Sequence, residues 1–244
     1  MIDFDVDSIF LYFGDDYVIN DKIKLHQPTI GEVVNYGEGQ YFSMVHTLTA
    51  IPSDVKSILW DQMEIYWTEV EDFDLFVMFS RTLTPDKTGI IFGDLDFSKM
   101  KPYNHPRIEG EIILADKESG IIIDKAIYIR MMNFLRKLHN ITPKPEKAKG
   151  KRAKQAMIDE DRRNREYNKN KPFRSYLLPL ISAVKVKQGY TKDYVRKMGL
   201  FEFFDDLSRM QIIDSASHLL NGMYCGMADL SKVDRKEFNW LREL

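Results

Sequence analysis

Asp94 and Asp96 in FGDLDFSK come closest to a chemical motif, because paired carboxylates can hold a divalent ion beside a nucleotide diphosphate. A loop following a helix uses the same residues, and that reading needs no ion. Asp3, Asp5 and Asp7 imitate the start of a calcium loop. Its glycine position is Ser8, however, and its closing glutamate position is Gly14, so the pattern fails. Gly37-Glu38-Gly39 opens like a dinucleotide loop, with Phe42 where the third glycine belongs and a helix rather than a strand before it. His26, His46, His105, His139 and His218 show no zinc spacing, and no phosphate-loop lysine motif occurs. Cys225 stands alone, with no sequence-adjacent base, and is expected to be a buried or inert thiol. No catalytic residue, cofactor or metal is assigned on these grounds, and an enzyme is not expected.

Two other groups could act by binding. The stretch of residues 142–171 is basic and polar: from Lys144 to Arg174 twelve Lys and Arg face five acids, in a chain with a net charge of −2. Lys151, Arg152 and Lys154 are its candidate contacts. Residues up to Met100 hold most of the compensating acids, so the arm can meet the N-terminal region or another copy. The second group is aromatic. Phe73, Phe76 and Phe79 in one helix, and Phe201, Phe203 and Phe204 in another, can supply either core or an apolar docking patch. GYTKDYVRKMGLFEFFDDLSRM can also be drawn as helix–turn–helix, but Asp193, Asp205 and Asp206 dilute its basic face, so nucleic acid is not the expected partner.

The elements that carry these groups follow from turn and capping residues. Asn20-Asp21 between two β-prone runs marks a hairpin, and residues 116–120 mark a second. Thr29 and Glu32 have capping-box spacing, as do Thr68 and Glu71 ahead of FDLFVMFSRTL, whose bulky groups surround the helix and place it centrally in the core. Helices are further expected over residues 40–49, from Ser53 to Trp60, and after Thr84-Pro85, with Gly37 and Gly39 interrupting the chain. Ile127, Met131, Phe134, Leu135 and Leu138 form one apolar stripe over residues 124–139, ending near Asn140. Pro143 and Pro145 start the polar segment, and residues 151–168 form a helix with almost no face to bury. Beyond it the chain reads as helix throughout: residues 173–187 kinked or broken at Pro179, then 191–198, 200–210 and 215–224.

The expected class is α+β, mainly α. Residues 1–141 form a mixed helical region with short β-hairpins, residues 142–171 a basic polar linker or arm, and residues 172–244 an all-helical C-terminal region. No signal peptide or membrane span is expected, so a soluble cytoplasmic protein is.

IKLHQPTIGEVVNYGEGQYFSMVHTLTAIPSDVKSILWD resembles the opening of a group of tailed-phage and prophage proteins from Gram-positive hosts, the tail assembly chaperones. The resemblance continues in LTPDKTGIIFGDLDFSK, KPFRSYLLPLIS and KVDRKEFNWLREL. It implies a non-virion, non-enzymatic factor in the host cytoplasm that keeps the tape-measure protein soluble. The tail tube protein and further copies of the chain are additional expected partners. The alternatives are a structural protein of the tail, baseplate or neck, present in the virion, or a nucleic-acid-binding protein that uses the basic arm.

Overall fold

The computed structural model describes residues 6–226 and 233–242 of the chain. It is about 60% helical with two small antiparallel sheets, an α+β fold that is mainly α. Helix α1 (Ser8–Tyr12) leads into the hairpin β1 (Tyr17–Asn20) and β2 (Ile23–Leu25). Helices α2 (Ile30–Tyr36), α3 (Glu38–Thr49), α4 (Lys56–Met63), α5 (Asp72–Ser80) and α6 (Pro85–Phe92) follow. A three-stranded sheet, β3 (Lys101–Asn104), β4 (Ile112–Asp116) and β5 (Ile121–Ile123), then precedes α7 (Lys125–Leu138). The remainder is helical among the described residues: α8 (Lys151–Lys169), α9 (Leu177–Gln188), α10 (Lys192–Lys197) and α11 (Leu200–Tyr224).

Local chemistry explains most of these boundaries. The Asn20 side chain accepts from the backbone of Lys22 and Ile23, closing the first hairpin. Thr29 and Glu32 form the expected reciprocal capping box on α2. Asp124 caps α7 by accepting from Ile127 N, and Pro85 takes the first position of α6. Gly37 separates α2 from α3, but Gly39 lies inside α3. A Cβ there would come within 3.0 Å of the Phe173 ring, so the glycine makes room for the returning chain.

Four local expectations are corrected. Pro179 does not break a helix, because α9 starts only at Leu177 and a proline in the first turn removes no internal hydrogen bond. Residues 200–224 form one helix, not two; Ser208 and Ser217 donate to the carbonyls four residues earlier, so serines here need not mark an end. Thr68 does not cap α5: it sits in a 3-10 turn, Trp67–Glu69, and its hydroxyl accepts from Lys154 Nζ. The 151–169 helix does bury a face, since Ile158 is fully enclosed.

One large hydrophobic cluster joins the regions on either side of the basic arm. It holds Leu25, Val33, Tyr41, Phe97, Phe134 and Leu135 together with Leu177, Val184, Leu200 and Phe203. A smaller cluster gathers Ala50, Val55, Leu59, Trp67, Leu75 and Ile158. Helix α5 lies between them, turning Phe73 and Phe76 to the first and Leu75 to the second, which accounts for bulky groups on all its sides.

The seam between the regions is backbone-bonded. Ile30 N donates to Met198 O and Leu200 N to Pro28 O, at 2.9 and 3.0 Å. Gly31 faces Arg196 there, and an added Cβ would stand 2.7 Å from both its Cγ and its carbonyl oxygen. Gly31→Ala should therefore destabilise by roughly 1–2 kcal/mol despite alanine's better helix propensity, because a backbone carbonyl cannot swing aside as a side chain can. Urea unfolding of the two proteins measures this, and an unchanged or higher midpoint would refute it.

Candidate functional site

Helix α7 carries an apolar stripe, from Tyr128 through Met131, Met132, Phe134, Leu135 and Leu138, that locks it into the core. It ends at His139, and Asn140 takes a left-handed φ of 53°, turning the chain into an extended run. That run and the last turns of α7 form one wall of a groove of about 1400 Å³, and α11 forms the other. Phe201, Phe204 and Ile212 from α11 face Ile141 and Pro143 across it.

Its polar rim is mostly engaged. Arg209 donates to the carbonyls of Trp240 and Arg242 at 3.0 and 2.7 Å, tying the C-terminal segment to α11, and Arg242 pairs with Glu237. Lys137 donates to the Val6 carbonyl. Arg136 is held more loosely, with 3.4 Å to Thr49 O and 3.5 Å to Asp72, and its buried Nε has no partner in the structure. Burial pushes the Asp205 carboxyl up, against the pull of Arg209. Beside the groove, burial likewise raises Asp206, which accepts from the Tyr190 hydroxyl; burial and the Asp206 charge push that hydroxyl up to about 12.

The aromatic groups singled out in the sequence divide sharply. Phe201 and Phe204 are half-buried groove residues, whereas Phe203 is fully enclosed. Phe73 and Phe76 are core residues, Phe73 tilted against Tyr128 and Phe76 edge-on to Phe97, and are buried rather than exposed for docking in this fold. Phe79 packs half-buried against the smaller cluster. Lys151 and Arg152 are exposed on the first turn of α8. Lys154 instead folds onto the Thr68 hydroxyl at 2.6 Å and over the Tyr66 ring at 4.4 Å.

Other chemical candidates resolve locally. Asp96 accepts from the backbone and hydroxyl of Ser98, a turn cap that also holds its carboxyl below the usual range, while Asp94 is exposed. Asp3 and Asp5 lie outside the described residues, and Asp7 caps α1. Cys225, expected to be buried or inert, is exposed just after α11. Among the described residues no group of three or more His, Cys, Asp or Glu could hold a metal ion. No helix among them is long and apolar enough to cross a membrane. Sequence reasoning missed Ile212, Ile141 and Pro143. Ile212 follows Phe204 and Ser208 at four-residue steps, a signal that reading α11 as two helices concealed; Ile141 and Pro143 follow a helix end and have no periodicity.

The helical segment that supplies the Phe201 and Phe204 wall has a counterpart among known families. Residues 168–244 match the family model of the YomV second domain. That family is associated with phages and prophages, so the match fits a phage-related protein. The YomV second domain match covers α9, α10 and α11 but not α7, so only one wall of the groove lies within it. No curated protein and no solved structure matched the chain.

Proposed function

We propose that this protein is a non-enzymatic phage tail assembly chaperone that keeps the tape-measure protein soluble, and that the groove between α7 and α11 receives an amphipathic helical segment of it. The observation that carries this reading is the groove itself, in which Leu138, Ile141, Pro143, Phe201, Phe204 and Ile212 supply apolar surface among polar and charged lining residues. A helix about 10 Å across that rises 1.5 Å per residue needs on the order of 120 Å³ per residue, so the groove has room for about ten residues, or three turns. A tape-measure helix exposes such a stripe until the tail tube surrounds it, and covering three turns at a time calls for several copies along one rod.

Co-expression of tape-measure segments with the wild-type protein should retain them in the soluble fraction and in a co-purifying complex. Phe201→Ser with Phe204→Ser, confirmed as folded by its thermal transition, should lose most of that retention. If a folded wild type leaves the segments insoluble and mature virions contain the chain in fixed copy number, the reading fails in favour of a structural tail, baseplate or neck protein.

A further inference from the structure

The basic arm is laid across α4 by side chains at four-residue steps along one face of α8. Lys154 reaches the Thr68 hydroxyl and the Tyr66 ring, with Glu69 at 3.8 Å. Ile158 enters the smaller cluster beside Leu59 and Trp67. Arg162 grips both carboxylate oxygens of Asp61. Between them Asp161 accepts from Ser57 N at 2.9 Å, capping the start of α4 from outside. Just upstream, Glu146 receives the Lys56 ammonium at 2.6 Å, and its carbonyl accepts from Trp67 Nε1 at 2.9 Å.

This seat is unusual in its balance. Of the nineteen residues of α8, all described, Ile158 is the one that is buried. Half-buried Met157 and the Lys154 side chain over the Tyr66 ring add to it, and the remaining contacts are charge pairs and hydrogen bonds, mostly between partly exposed groups, which hold weakly and weaken further with salt. What α8 covers is apolar: Leu59 and Trp67 are 1% and 3% exposed beneath it. The ends of the excursion are anchored elsewhere. His139 bonds the Tyr41 hydroxyl and Tyr176 packs edge-on against Phe42, so the start and the return of the arm rest on neighbouring residues of α3. Pro143, Pro145 and Gly150, whose φ is +84°, precede the helix, and Pro172 follows it. Helix α8 can therefore lift away without opening the main core.

The uncovered face would demand a replacement that presents Lys, an aliphatic residue and Arg at successive four-residue steps, with a carboxylate just before the Arg. A second copy of this chain carries that helix, and the return exchange covers the face the first copy has exposed. We propose that the arm exchanges between two copies, each laying residues 146–169, with α8, across α4 of the other, to give a closed two-fold dimer that reproduces every contact described above. Salt loosens the seat in one chain and across two alike, so it should speed the exchange more than it shifts the population. This surface is separate from the groove, and the proposal stands or falls independently of the chaperone reading.

The test uses the full chain with Cys225→Ser. One batch carries Asp61→Cys, the other Arg162→Cys with a tag that changes its mass, and a short bifunctional thiol reagent is added after mixing. A cross-linked species of one tagged and one untagged chain is expected, forming several-fold faster in 0.5 M than in about 0.05 M salt, where screening differs strongly. A chain carrying both cysteines serves as the control for reach. If that chain closes on itself while the mixture gives no heterodimer, the proposal is overturned. Light scattering gives an independent reading: dimer for the wild type and monomer for Ile158→Asp are expected, and a wild type that stays monomeric at every concentration overturns the proposal.

Discussion

A fragment of residues 168–244 expressed alone should show no cooperative unfolding transition, although it spans the whole family match. Leu177, Val184, Val195, Met198, Leu200 and Phe203, each at most 2% exposed, belong to a cluster whose other members come from residues 6–138. Each such side chain contributes about 1.5–3 kcal/mol when fully buried, so the fragment forfeits a sum on the order of 10 kcal/mol, comparable to the whole stability of a domain. The start of α9 also depends on the other region. Glu38 accepts from the backbone of Tyr176 and Leu177 and from the Ser175 hydroxyl, capping a helix 139 residues away in sequence. Calorimetry and hydrogen exchange on the fragment provide the check. A sharp transition with protected amides would mean that the C-terminal helices hold one another without the rest.

Acid should unfold the protein partly through a single histidine. His139 Nδ1 meets Leu135 O, which can only accept, so Nδ1 carries the proton and Nε2 accepts from the Tyr41 hydroxyl at 2.7 Å. Burial pulls this imidazole down to about 4. The unfolded chain, with an ordinary value near 6.5, binds the proton first as pH falls. The contribution is thus fully present above about pH 6.5 and is lost progressively down to about pH 4, amounting to about 3 kcal/mol. Other groups titrate in the same range: Asp16 and Glu32 are held low, whereas burial raises Asp205 and Asp206. They act equally in a His139→Asn variant, so the difference between the two proteins isolates His139. Denaturant midpoints from pH 7 to 4 should converge as the wild type loses its advantage; parallel curves would exclude the histidine.

The parts of this fold that were legible in the sequence are those set by neighbours along the chain. The Thr29–Glu32 box, the turn at Asn20 and the stripe of α7 need only local geometry, and each stands as expected. Strand β3 was not anticipated because Pro102 argues against a strand; at a sheet edge, where β3 lies, proline removes no needed ladder bond. The face of α8 was missed because one isoleucine makes no stripe. It became a face only through Leu59 and Trp67, some ninety to a hundred residues away. The groove was hidden for the same reason, since Ile141 and Phe201 belong to walls sixty residues apart and nothing in either stretch refers to the other. The aromatic triplet near residue 203 was visible, but which rings point inward depended on where α11 lies against α9 and α1. Phe203 is enclosed, and Phe201 and Phe204 are not.

The pinch at α3, where the arm departs beside Tyr41 and returns beside Phe42, makes the stretch between them a closed loop as far as the core is concerned. Joining two fixed ends costs entropy that rises only with the logarithm of the length between them, about 0.6 kcal/mol for each doubling. The main core is consequently almost indifferent to how many residues the loop contains. Insertions and deletions can accumulate in it without a compensating change in the packing of α3, α7 or α9, so chains of quite different length can share this core.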